Sequence, residues 1–122
     1  MIVAGFGFRK EASEASLEDA YARACKSVEP VLLATADDKA VAKVFRLFAE
    51  AMELPVKAVP PDVLREQTTT TQSAASRKSH GTGSVAEAAA LAAAGKGARL
   101  LTVRQTSADK LATCALAIKE ET

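Results

Sequence analysis

The chain has 122 residues, with 16 lysines and arginines against 15 acids and a formal charge of +1. That length suits one domain with a real core, so residues 1–122 are read as a single unit. With 4% aromatic residues, no tryptophan and almost no net charge, the chain lacks both the basic surface and the stacking platforms that nucleic-acid binding needs, and the pull toward an anionic membrane surface; neither partner is expected.

Ile2 to Phe8 is a continuous apolar run with glycine at alternate positions, Gly5 and Gly7, and it ends at Arg9 and Lys10. This predicts a strand covered on both faces. The run is short, interrupted by glycine and preceded by no basic segment, so it reads as neither a secretion signal nor a membrane span, and a reducing cytoplasm is the expected setting. Ser16, followed by Asp19, is the expected helix cap; Leu17, Ala20, Tyr21, Ala24, Cys25 and Val28 then recur at helical spacing.

Val31 to Thr35 predicts the second strand, ended by Asp37, Asp38 and Lys39. Val41, Val44, Phe45, Phe48, Ala49 and Met52 mark a second amphipathic helix. Leu54 to Val59 makes a third strand, and Pro60-Pro61 stops it while presetting a short helix to about Glu66. Gln67 to Gly83 then breaks the rhythm with TTTTQS and SRKSHGTG, read as a long polar loop.

Ser84-x-x-Glu87 has the pattern of a capping box and opens the helix VAEAAALAAA, which Gly95 and Gly97 stop. Ala98 to Val103 and Leu111 to Ile118 are two further strands joined by RQTSADK, too short for a crossover helix, so they form an antiparallel hairpin with the last strand at a sheet edge or next to it. The expected fold is α/β: three layers, α/β/α, around a mixed, mostly parallel five-stranded sheet.

In such sheets ligands gather outside the carboxyl ends of the strands, where loops are free and helix starts point their N–H groups. The first strand delivers Arg9 and Lys10 to that edge, the second Asp38 and Lys39, and the fourth Arg104 and Gln105. The helix opened by Ser84 must also start there, bringing Lys78-Ser79-His80 with it, and Gly81 and Gly83 permit close backbone approach. Together with Gly5 and Gly7 these residues form the candidate ligand-binding set. Several separated cations fit a ligand bearing more than one carboxylate better than one compact phosphate.

Other chemistries fit less well. Gly5-Phe6-Gly7 follows a strand as in a dinucleotide fingerprint, but Lys10 stands where its third glycine belongs. Gly81-Thr82-Gly83-Ser84 lacks the glycine-lysine-serine ending of a phosphate loop. A hydrolase triad would need His80 to meet a serine and a carboxylate, and no G-x-S-x-G turn is present. Cys25 and Cys114 lie in apolar runs without neighbouring ligands and read as small buried hydrophobes; neither a metal nor a cofactor is expected.

GFGFR (Gly5 to Arg9), Asp38-Lys39, GTGSVAEAAAL (Gly81 to Leu91) and LLTVRQTSADKLATCALA carry a resemblance that spans nearly the whole chain. The chain resembles the CobE family of small cobalamin-biosynthesis proteins and is similar to the C-terminal domain of CbiG. The resemblance implies a cytoplasmic α/β domain whose ligand is a corrinoid or precorrin intermediate, a polycarboxylate on an apolar ring, with other enzymes of that pathway as further partners. It carries over Arg9, Lys39, His80, Ser84 and Arg104 as contacts. It implies a binding or carrier role first, and second an enzyme acting on the macrocycle, since two-domain CbiG opens a lactone ring. Phe8 stands where the family often has cysteine, Arg104 where lysine is usual and Ala42 where an acid often follows, so no catalytic residue is assigned.

Overall fold

The structure is a computed structural model that describes residues 1–120. Its sheet has the order β3-β2-β1-β5-β4, formed by β1 (Ile2–Phe8), β2 (Leu32–Ala36), β3 (Val56–Val59), β4 (Arg99–Thr106) and β5 (Ala112–Ile118). β1 pairs parallel with β2, and β2 with β3; β5 runs antiparallel between β1 and β4. Four strands therefore point one way, and β5 lies next to the edge strand β4. The carboxyl ends of β1 and β4 meet the start of β5 at one rim, with Phe8 opposite Ala112 and Thr106 opposite Thr113.

The two faces of the sheet are packed by different chemistry. On one, α1 (Glu14–Cys25) and α3 (Lys43–Met52) cover Phe6, Phe8, Leu33, Cys114 and Leu116 with Leu17, Phe45 and Phe48. All five aromatic residues of the chain sit in this layer, and Phe6 touches Tyr21, Phe45 and Phe48 with ring centroids 5.2–6.1 Å apart. Such contacts add to simple burial. On the other face α6 (Val85–Ala94) presents alanines to β1, with the short α4 (Pro61–Arg65) beside it. A β-carbon on Gly5 would stand 2.1 Å from Ala86 O and 2.5 Å from Ala90 N, so this glycine lets the helix backbone lie directly on the strand.

Several local expectations are corrected. Ser13, not Ser16, caps α1: its hydroxyl accepts from Ser16 N–H while Ser16 Oγ accepts from Ser13 N–H, a reciprocal box that a serine completes as well as a glutamate would. Asp37–Ala40 forms a helical turn, α2, and Val41 falls between helices, 71% exposed, rather than in the core. The polar segment 67–83 is not all loop. Ala74–His80 is a helix, α5, capped by Ser73 and closed by Gly81 at φ 68°. None of its residues is buried, so it shows no apolar period to read.

The Ser84–Glu87 pattern is also not a capping box. Ser84 Oγ accepts from Glu87 N–H at 3.2 Å, but the Glu87 carboxylate turns away from the cap. It is fully buried and accepts four hydrogen bonds: Oε1 from Thr70 N–H and Thr71 N–H at 2.8 and 2.9 Å, Oε2 from Thr71 Oγ1 at 2.6 Å and Arg104 N–H at 2.9 Å. Arg104 is free to donate because the β4–β5 register slips between Thr102 and Gln105. The polar segment closes on itself around this anchor. Ser73 N–H donates to Gly83 O at 2.7 Å, Gln72 Nε2 to Thr69 O at 2.8 Å, and Arg77 Nη2 to Gln72 Oε1.

Burial alone pushes the Glu87 carboxyl up, but the four donors together outweigh it and hold the pKa below its ordinary 4.5. The folded protein thus binds that proton less readily than the unfolded chain. The stabilisation is complete above the ordinary value and is lost as pH falls through the lower, folded one. In Glu87→Gln the amide would face a donor it cannot accept from, so the variant is expected to lose about 1–3 kcal/mol at neutral pH and to show a flatter acid flank in urea melts taken across pH. Equal stability of the two proteins at pH 7 would contradict this account. Gly5→Ala is expected to lower the urea midpoint by an amount corresponding to roughly 1–3 kcal/mol, because the atoms in its way are backbone; an unchanged midpoint would show that α6 can lift freely.

Candidate functional site

A cavity of about 970 Å³ opens at the rim where β1, β4 and β5 meet, between α2, α5 and the β4–β5 turn. Its floor is apolar or small: Gly7, Phe8, Val85, Leu111 and the methyl-bearing Thr113. Around that floor stand Arg9, Lys10, Lys39, Lys78, Arg104 and Lys110, with Glu11 as the acid among the lining residues. The ion pairs among the described residues are Arg23–Asp19, His80–Asp38 and Arg99–Glu120, so none of these six cations has a carboxylate partner there. Lys39 places its ammonium 5.3 Å from the Phe8 ring centroid, which steadies the cation at the edge of the apolar floor. Like charges gathered without counter-ions repel one another and make the site receptive to an anion.

Each element supplies its part for a local reason. β1 ends at Phe8 because the next two residues are charged and leave the sheet, where Arg9 N–H still donates to Leu111 O at 2.8 Å. α5, with basic residues in its last turn, brings Lys78 and His80 over the cavity. α6 starts at the rim, as Val85 in the lining shows, but the negative charge that a helix start favours is already present in Glu87 of its first turn. The cavity therefore takes its positive character from side chains.

Of the twelve residues named from sequence, Gly7, Arg9, Lys10, Lys39, His80 and Arg104 line the cavity. Asp38 joins it indirectly, its two carboxylate oxygens each 3.1 Å from His80 Nε2. The others serve packing or capping: Gly5 lies under α6, Gly81 ends α5, Gly83 has Gln72 and Thr71 where a β-carbon would go, and Ser84 is fully buried as the α6 cap. Gln105 Nε2 donates to Val103 O. Lys110, Thr106, Thr113, Ser73 and Ser76 also line the cavity and were missed. For the first three the hairpin itself was the signal, since a strand antiparallel to its neighbour must begin at the same rim.

His80 does meet a serine and a carboxylate. Ser79 Oγ lies 2.8 Å from Nδ1, opposite the Asp38 contact. That hydroxyl, on a residue that also lines the cavity, donates to Ala75 O at 2.9 Å, one helical turn back. The row of contacts joins α5 to α2 across the cavity wall. The cysteines take no part. Burial pushes the Cys25 thiol up to about 11 and the Cys114 thiol well above its ordinary value, so both stay protonated. Among the described residues no group of histidine, cysteine and carboxylate side chains is arranged to hold a metal, and no helix is long and apolar enough to cross a membrane. A second hollow, about 600 Å³, lies between α3 and the start of β3, lined by Lys43, Arg46, Glu50 and Glu53 among others; its charges are mixed and it is remote from the rim.

Comparison with known proteins places this geometry in a context. Residues 2–117 match the family described as cobalamin synthesis G C-terminus. The fold is similar to the crystal structure of CobE, a protein from the cobalamin (vitamin B12) biosynthetic pathway, with 33% identity and a TM-score of 0.87 over 100% of this chain and 93% of that one. It is also similar to cobalamin biosynthesis protein chiG from Agrobacterium tumefaciens, with 34% identity and a TM-score of 0.75 over 99% and 100% of the two chains. A cobalamin biosynthesis protein G homolog from Sulfolobus solfataricus shares the fold, with 17% identity and a TM-score of 0.71 over 98% of this chain and 37% of that one. No curated protein matches the chain in sequence. The chain belongs to the cobalamin synthesis G C-terminus family and is a CobE/CbiG-like protein of cobalamin biosynthesis.

Proposed function

We propose that the protein binds a polycarboxylate corrinoid or precorrin intermediate in the rim cavity and acts as a carrier or accessory of the cytoplasmic pathway. The single observation that carries this is the ring of six cations without carboxylate partners around an apolar floor. A ring-shaped ligand with an apolar body and acidic arms matches both features at once. The body covers Phe8, Val85 and Leu111, and the arms reach Arg9, Lys39 and Arg104. Arg104 offers a planar fork that a carboxylate can meet with two bonds, and its backbone is fixed by Glu87. A cavity of this volume holds part of such a macrocycle, leaving the remainder outside for a downstream enzyme to take.

The His80–Asp38 pair at the wall favours a second reading, in which the imidazole moves a proton on the bound ring, as lactone opening would require. Turnover separates the two: product in excess of protein supports the enzyme, and release of unchanged ligand supports the carrier.

The test is an absorbance titration with cobyrinic acid, a corrin whose side chains end in free carboxylates, beside cobinamide, in which amides replace them. Saturable binding of the acid is expected, weakening as salt is raised, with cobinamide bound far less tightly. In Arg9→Ala/Lys39→Ala affinity for the acid is expected to fall roughly tenfold or more. No spectral or calorimetric response to the acid, or equal affinity for acid and amide, would overturn the reading.

A further inference from the structure

Among the described residues, three other than glycine have positive φ: Lys26, Glu53 and Lys110. The first two follow the last turns of α1 and α3, where the ending helix dictates the backbone. Lys110 stands instead in the β4–β5 turn, at φ 64°, where its N–H donates to Ser107 O at 2.9 Å. A left-handed residue at the end of such a turn is ordinarily glycine or asparagine, because a β-carbon crowds the backbone there. A lysine in that place is a local cost, and such costs gather at functional sites.

The turn is tied down by hydrogen bonds within itself and to α1. Asp109 Oδ1 accepts from Ser107 Oγ at 2.5 Å and from Leu111 N–H at 3.0 Å, while Oδ2 accepts from Ser16 Oγ of α1 at 2.5 Å. Asp19, also on α1, accepts from Ala108 N–H at 2.7 Å. The Ser107 hydroxyl first, then Ser16 and the Leu111 N–H, hold the Asp109 carboxyl below its ordinary range. The turn is thus fastened to α1 at two points, and the residue it carries into the cavity lining is an exposed cation without a carboxylate partner among the described residues.

We propose that Lys110 is a ligand-gripping residue of the rim cavity, held ready by the strained, α1-fastened β4–β5 turn to take one carboxylate of the bound macrocycle on the side opposite Lys39. The assignment rests on the binding reading above and adds to it a contact at a named position. The carboxylates that brace the turn, Asp109 and Asp19, lie outside the cavity lining and form no ion pair with Lys110, so the acids that order Lys110 do not neutralise it.

Lys110→Gly separates the two roles, because glycine suits the left-handed backbone while removing the charge. The variant is expected to melt at the same temperature as the parent or higher, yet to bind cobyrinic acid roughly three- to tenfold more weakly and with a shallower salt dependence. Lys110→Arg keeps the cation and is expected to restore affinity. Lys96→Ala makes the same change in net charge beyond the far end of α6, away from the rim, and is expected to leave binding unchanged. Affinity in Lys110→Gly equal to that of Lys96→Ala would overturn the assignment while leaving the binding reading intact, provided Arg9→Ala/Lys39→Ala still weakens. A parent protein that fails to bind would end both.

Discussion

One buried carboxylate organises the rim. Glu87 lies in the first turn of the central helix, yet its four hydrogen-bond donors come from two other places: the polar segment at Thr70 and Thr71, and the edge strand at Arg104. A charge removed from water is tolerated only when its lone pairs are fully met, so each of these elements is required where it stands. The polar segment then leads through Ser73 into α5, which supplies Lys78 and His80, while the edge strand presents Arg104 from a backbone that cannot shift. Two sides of the cavity are therefore positioned by an anion that is not part of it.

The unequal packing of the sheet serves the same end. Bulky aromatic side chains fill the space under α1 and α3, whereas glycine and alanine bring α6 down onto β1. Close approach on that face sets Val85 beside Gly7 and gives the cavity a shallow, apolar floor, while Phe8 on the other face supports the Lys39 ammonium. The site sits where a thick layer and a thin one meet at the end of the sheet.

Much of this was legible in the sequence, for definable reasons. Alternating apolar runs and helical periods gave the layers and the parallel strands, and the short connection before Leu111 gave the antiparallel hairpin. The carboxyl-edge rule then brought Arg9, Lys39 and Arg104 together. What stayed hidden depended on tertiary partners. A serine followed by a glutamate three residues on reads as a capping box whether the glutamate reaches back or outward, and only Thr71 and Arg104 decide which. α5 buries none of its side chains, so it leaves no periodic trace, and Ser73 and Gly81 are its only marks. Lys110 was overlooked because a lysine in a turn reads as solvated until its φ is known.

The placement of β5 bears on how the molecule acquires its shape. β1 has β5 as one of its two neighbours, with Ile2 opposite Ile118, so the earliest strand in the chain is completed by the latest. Pairing over that separation closes a very long loop before it is rewarded, which slows folding and leaves one edge of β1 open in the meantime. An edge that is apolar on both faces and unpaired is an invitation to intermolecular association. The parallel partner β2 can dock on the opposite edge of β1 before β5 arrives. The cavity is complete only once β5 has paired with β1, so a nascent or truncated fragment would lack the wall that Lys110, Leu111 and Thr113 supply.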